Sequence, residues 1–323
     1  MVIVQSTYAG STTLCKLALE QGLSVLVLTV YRHLIALLVF APLAFVLERN
    51  QRPSSLPCPA LAKIFTLAFF GITVHQNVFY VGLGYASPTV ASALSSAIPA
   101  FTFLMAVMLS RMEKVSIRSA KGRARLVGTI LCVGGVLVFT FWKGHLMEGF
   151  VRRPLLGDVH GRGPIARKEG DWLKGTGLIL TSFVAFSAWL ILQAVVSGIY
   201  PARLSMNTLM CFFALVQSST IALVFERDAS SWRLDWNIQL LAIIYCGIVI
   251  SCLTYYLQTY CVSEKGPVFA ATFSPLLLVI VGLVSAFVFA ERLHIGSLIG
   301  AIIIIVGLYC VLWGKSSDSG DKN

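Results

Sequence analysis

Long apolar runs alternate with short polar breaks along almost the whole chain. A helix needs about 20 apolar residues to cross a bilayer. By that measure ten segments are expected, at roughly 1–19, 24–47, 61–84, 88–110, 125–142, 172–197, 203–225, 237–261, 266–290 and 295–313. The breaks Leu19–Ser24 and Tyr85–Pro88 are tight turns, so the flanking helices must run antiparallel. One connection is long and rich in Gly, Pro and charge, residues 143–171. It divides the chain into a first five-helix unit, 1–142, and a second, 172–314, followed by a polar tail, 315–323, expected to be disordered.

The two units are copies. Glu48 closes segment two and Glu113 closes segment four, 65 residues later, while Glu226 and Glu291 repeat that interval in the second unit at an offset of 178. Further on, Gly128 matches Gly300 and Lys143 matches Lys315, both at an offset of 172. Five is an odd number of crossings, so the second copy enters the membrane upside down. Inverted repeats of this kind place a substrate site near the midplane, between the copies.

Composition and charge add orientation. Of 323 residues, 57% are hydrophobic and 12% charged, against about 25% charged in soluble domains. The +11 net charge therefore reads as loop polarity and not as a nucleic-acid footprint. With the N-terminus in the cytosol, the inside loops hold thirteen basic residues and the short outside loops three, Arg227, Arg233 and Arg292. The central connection opposes this with seven, and the dense cluster between segments four and five outweighs it. Both termini are expected to be cytosolic. The eight cysteines include no CxxC pair, so no zinc or redox motif is expected. No basic n-region precedes the first apolar run, so no cleaved leader is expected either.

Several stretches resemble one known group. They are YAGSTTLCKLALEQGLSVLVLTVYRH (Tyr8–His33), the fourth-segment pattern PTVASALSSAIPAFTF, SAWLILQ (Ser187–Gln193), YPARLS (Tyr200–Ser205) and SCLTYYLQTYCVSEKGPVFAATFSPL (Ser251–Leu276). Together they are similar to the plant nodulin-like EamA transporters of the drug/metabolite transporter superfamily, also called the UMAMIT or Walls-Are-Thin-related group. The likeness covers nearly the whole chain outside the central connection and the tail. It implies an all-α integral membrane protein with ten transmembrane helices in two inverted EamA repeats. It also implies facilitated export or import of amino acids or auxin-like metabolites; no cofactor is expected, and the membrane is open between plasma and vacuolar.

Candidate site residues come from polar groups inside apolar runs, which are costly in lipid and mark pathways. Pro99 and Pro275 lie near the middle of segments four and nine; each deletes a backbone hydrogen bond. They are either packing kinks or openings of the backbone toward a central cavity, flanked by Ser95, Ser96, Thr272 and Ser274. Symmetric placement favours the second reading. His75, Gln76 and Asn77 are consecutive, so at least one faces protein; Gln76 shares a face with Tyr80. Arg32 lies too deep to reach the surface and is either a carboxylate clamp or an internal anchor. Lys16 is explained by snorkelling, although Tyr8 lies two turns away on nearly the same face. Trp189 with Gln193, and Tyr255 with Gln258, form two amide–aromatic pairs suited to a small polar metabolite or to interhelical bonding. The terminal glutamates are expected to pair locally and fix loops. Gly296 and Gly300 form GxxxG, for close packing on a neighbouring helix or on a second protomer.

Three functions compete. A passive or proton-coupled carrier of small zwitterionic or anionic metabolites, working by alternating access around a central cavity, agrees with every feature above. A nucleotide-sugar carrier would need a more cationic cavity than Arg32 and Lys16 supply. A membrane-embedded enzyme lacks support: HExxH, GxSxG, a phosphate loop and paired intramembrane carboxylates are all missing. Because no acidic residue lies away from a segment end, uniport is expected over a carboxylate proton relay.

Overall fold

The computed structural model describes residues 1–48, 58–106, 108, 120–142, 169–200, 202–234, 236–288 and 295–316. Ten helical segments run through them: α1 Val2–Glu20, α2 Val25–Leu47, α3 58–85, α4 88–105, α5 Ala120–Phe141, α6 Glu169–Ile199, α7 Arg203–Phe225, α8 238–265, α9 267–288 and α10 Ile295–Ser316. No strand occurs among the described residues. The central connection from 143 to 168, the tail from 317, Glu113 and Glu291 lie outside them.

Local sequence sets the boundaries. Ser87 caps α4, its Oγ accepting from Val90 N at 3.2 Å, and Pro88 occupies the first turn, where a missing N–H costs nothing. Gly266, at φ +88°, reverses the chain between α8 and α9, a conformation that side chains with a Cβ rarely adopt. The Asn237 side chain accepts from Gln239 N and Leu240 N and so starts α8.

Seven of the helices are long and apolar enough to cross a membrane: α2, α3, α4, α6, α7, α8 and α9. α1 misses that measure because one side of it is polar, with Gln5, Ser11, Thr12, Thr13 and Lys16 all buried. That side faces protein.

Packing follows the inverted repeat. α1 packs on α8 and α9, and its counterpart α6 packs on α3 and α4. α2 lies along α7, and α5 along α10 in the most extensive pairing among the described residues. Glycines bring that last pair together: a Cβ on Gly128 would lie 2.6 Å from Gly307 O, and one on Gly135 would lie 3.0 Å from Gly300 O. The GxxxG of α10 is therefore occupied by α5 and the residue after it, since a Cβ on Gly296 would strike Trp142 O at 1.5 Å. Lipid tails supply little drive for helix association, so such close backbone approach carries much of the cohesion.

The glutamates at the ends of α2 and α7 correct the expectation of local pairing, because both reach into the other repeat. Glu48 accepts from Leu204 N at 2.8 Å and Ser205 N at 2.7 Å, capping α7. Glu226 accepts from the hydroxyl of Ser24, the residue that precedes α2. Each long helix thus anchors the start of its antiparallel partner.

Four helices are irregular in matched places. α3 carries a π-helical stretch at Phe69–Val74 and α8 one at Cys246–Thr254. α4 tightens to 3₁₀ at Ser95–Ala97, and α9 is interrupted at Thr272 and Phe273. At an offset of 178 these pairs coincide to within a few residues. Such bulges cluster at functional sites, and the central cavity lies beside all four.

Candidate functional site

Between the repeats lies a cavity, whose empty space together with the open solvent at its mouth is about 860 Å³. Its walls come from α1, α2, α3, α4, α6, α8 and α9. Six of the ten expected binding residues line it together: Tyr8, Arg32, Gln76, Trp189, Tyr255 and Gln258.

Arg32 is the only Lys or Arg among the lining residues and is 1% exposed. Its Nε and Nη2 donate to Ser251 Oγ at 3.1 and 3.0 Å, and its Nη1 donates to Tyr80 Oη at 2.7 Å. None of these partners is charged, and no carboxylate lines the cavity among the described residues. Burying an ion costs several kcal/mol, which neutral hydroxyls offset only in part. An anion in the cavity would offset that cost.

Two linked pairs frame that charge. Tyr8 donates to Gln258 Oε1 at 2.8 Å. The Gln76 amide nitrogen bonds the Tyr255 hydroxyl, while its Oε1 is buried and has no donor among the described residues. Aromatic rings also line the cavity. Trp189 lies 5.3 Å from Phe186 and 5.7 Å from Tyr255, and His75 lies 4.8 Å from Phe186, centre to centre. Gly71, in the π-helical stretch of α3, is where Trp189 seats: a Cβ there would sit 1.9 Å from the indole Cδ1.

Other expected residues lie elsewhere. Lys16 does not snorkel; it is buried, donates to Leu83 O and Gly84 O at 3.0 and 3.1 Å, and lies 3.5 Å from Glu20. It thus serves the carbonyl end of α3, where a cation is favoured. Asn77 donates to Thr73 O and accepts from Thr29, away from the cavity. Gln193 donates to Thr259 Oγ1 at 2.8 Å, and Thr259 donates to Asn207, a polar link joining α6, α8 and α7.

The prolines correct the cavity-wall expectation. Pro99 and Pro275, with Ser96 and Thr272, line a second, smaller cavity against α5 and α10. Both stand in the first turn of a half-helix, where proline is tolerated, and not within a helix interior. Ser95 and Ser274 take the cavity side of the same breaks, with the Ser95 hydroxyl 3.4 Å from Ser274 O.

Sequence reading missed Gln5, Ser11 and Thr12 on α1 and the rings of Phe79, Phe183 and Phe186 as part of this wall. Gln5, Tyr8 and Thr12 follow the 3–4 spacing of one helix face, a signal present in the sequence. The phenylalanines carry none, since apolar side chains look alike whether they face lipid, core or cavity.

Comparison with known proteins agrees with the symmetry. Residues 1–141 and 173–313 each match the model of the EamA-like transporter family. A WAT1-related protein of Arabidopsis thaliana is 38% identical over 99% of this chain and 91% of its own. Protein WALLS ARE THIN 1 of the same plant is 38% identical over 98% of this chain and 82% of its own. One crystal structure aligns at a TM-score of 0.65 and 15% identity, over 97% of this chain and 94% of that one, a likeness of fold.

Proposed function

Since the chain belongs to the EamA-like transporter family, and is thus a multi-pass membrane transporter of the drug/metabolite superfamily, we propose that its central cavity carries a small planar organic anion by alternating access. The observation that carries this reading is Arg32, a buried cation with no carboxylate partner among the described residues, in a cavity that aromatic rings also line. Its fork suits a carboxylate held at two points, and the rings suit the flat remainder of the molecule. A single cationic side chain is poorly matched to the diphosphate of a nucleotide sugar.

Zwitterionic amino acids are the second reading. The Gln258 amide on the cavity wall favours them, because its Oε1, which accepts from Tyr8, has a second lone pair for an ammonium. Against them stands the absence of a lining carboxylate among the described residues, which would leave the ammonium without a counter-charge.

The test is uptake into liposomes holding the purified full chain, with labelled benzoate, indole-3-acetate, benzenesulfonate, glutamine and a nucleotide sugar. We expect uptake of the aromatic anions. Arg32→Gln should weaken their binding by about 1.5–3 kcal/mol, the loss of a charge-assisted hydrogen bond, while Arg32→Lys keeps part of it. Uptake of glutamine alone would reject the anion reading. The proposed topology places both termini on the cytosolic side of the plasma or vacuolar membrane. External labelling of Lys322→Cys in intact cells would contradict that orientation.

A further inference from the structure

Among the residues lining the cavity, one side chain has an ordinary titration range that overlaps physiological pH: His75. Its Nδ1 lies 2.9 Å from Ser182 O. A carbonyl oxygen only accepts, so in the neutral ring Nδ1 holds the hydrogen and Nε2 keeps a free lone pair. Nε2 has no partner among the described residues and is not sealed. His33 makes the contrast. Its Nδ1 is held by Thr29 O at 2.7 Å, and its Nε2 is sealed in the interior, beyond reach of a ligand.

The surroundings of His75 suit a ring that changes charge. From α3 itself the cavity receives Tyr80, from α1 Tyr8, from α2 Arg32 and from α8 Tyr255. α6 presents Phe183, Phe186 and Trp189, with no ionisable group. α4 and α9 present only small polar and apolar residues. Phe186 at 4.8 Å, Phe79 at 6.0 Å and Phe183 at 6.3 Å surround the imidazole, and aromatic faces accept a cation. With the cavity empty, the fixed charge of Arg32 disfavours a second cation. A bound anion removes that repulsion and adds an attraction.

Resting on the anion reading above, we propose that His75 Nε2 is the binding site of a co-transported proton, taken up with the anion and released with it. The step is a protonation: Nε2 accepts H⁺ as the anion enters on one side, and returns it as the anion leaves on the other. No electrons move. Empty and loaded cavities then carry the same charge, that of Arg32, so transport is electroneutral. On this proposal transport is proton-coupled, whereas the absence of intramembrane carboxylates leads to an expectation of uniport.

Thermodynamic reciprocity gives the sign. If the anion favours protonation of His75, the protonated ring binds the anion more tightly by the same factor. Affinity is therefore full at low pH and falls as pH rises, by up to about tenfold per pH unit for one linked proton.

The experiment uses the full chain in liposomes and benzenesulfonate, which stays anionic and has no permeant neutral form. A pH gradient, acidic on the donor side, and a membrane potential are imposed separately. Wild type should accumulate the probe with the pH gradient and ignore the potential. His75→Gln, which can still donate to Ser182 O, and His75→Phe should reverse both responses, and their Kd should be flat between pH 5.5 and 8.5. If neither variant inserts, a pH-indicator dye decides with wild type alone: one proton should be taken up for each probe bound. Uptake driven by potential, an absent dye signal, or pH-driven uptake in His75→Gln would overturn the proposal and leave the carrier reading standing. Failure of wild type to bind or move any anion of the panel would remove both.

Discussion

Gly71→Ala perturbs the cavity without touching its polar groups. The added Cβ would sit 1.9 Å from Trp189 Cδ1, 2.3 Å from Cγ and 2.4 Å from Nε1, where ordinary contact begins at 3.4 Å. The indole must therefore retreat by about 1.5 Å. It is held against Phe186 and Tyr255, and its Nε1 lies 3.5 Å from Met210 Sδ, so the space open to it is the cavity that it lines. Overpacking of this kind costs about 1–3 kcal/mol, and the better helix propensity of alanine offsets up to about 1 kcal/mol. The protein should fold, with a net loss of about 0–2 kcal/mol. Moving one aromatic wall should weaken benzenesulfonate binding about tenfold, equivalent to about 1.4 kcal/mol. The assay is a double-mutant cycle: Kd and thermal midpoint for wild type, Gly71→Ala, Trp189→Ala and the pair. If the indole clash is the cause, Gly71→Ala should cost nothing further in the Trp189→Ala background. Equal losses in both backgrounds, or wild-type values in the single variant, would refute the argument.

Gln258→Leu should cost about 1–3 kcal/mol of ligand binding by removing an amide that lines the cavity, where the ligand group it would bond is left unpaired. Gln193→Leu, outside the cavity, should lower thermal stability and leave Kd unchanged; matching Kd losses in the two would contradict their separation. Pro99→Ala and Pro275→Ala should keep transport per inserted molecule within about twofold of wild type, since both line the smaller cavity. A selective transport loss at normal abundance would return them to the transport path. Glu48→Ala should lower the thermal midpoint by a few degrees, because two N–H groups of α7 lose a cap worth about 1–2 kcal/mol. An unchanged midpoint would show that the cap is dispensable.

Much of the architecture was legible before any coordinates. Hydrophobic runs, tight turns and the recurring glutamates, together with the family resemblance, were enough for ten helices and an inverted duplication. Both run and turn are local: lipid forces each backbone to satisfy its own hydrogen bonds, so a long apolar run becomes a helix whatever its neighbours. Buried polar residues were legible as a set for a related reason, since lipid excludes them from the outer face. That logic found Arg32, Gln76 and Gln258, and it also selected Lys16, Asn77 and Gln193.

Which polar residue faces the cavity and which faces another helix was decided only by tertiary packing. Gln193 and Gln258 sit in similar amide–aromatic pairs, yet one bonds Thr259 and the other lines the cavity. Each rotation depends on helix phase, and the π-helical stretches of α3 and α8 alter that phase without a clear mark in the sequence. The prolines announced that α4 and α9 break, but the side each break presents depends on α5 and α10, which pack where Pro99 and Pro275 face. The reach of Glu48 and Glu226 into the opposite repeat depended on the antiparallel lie of α2 along α7. A residue's need for a partner is written in its chemistry, while the partner's identity belongs to the assembled bundle.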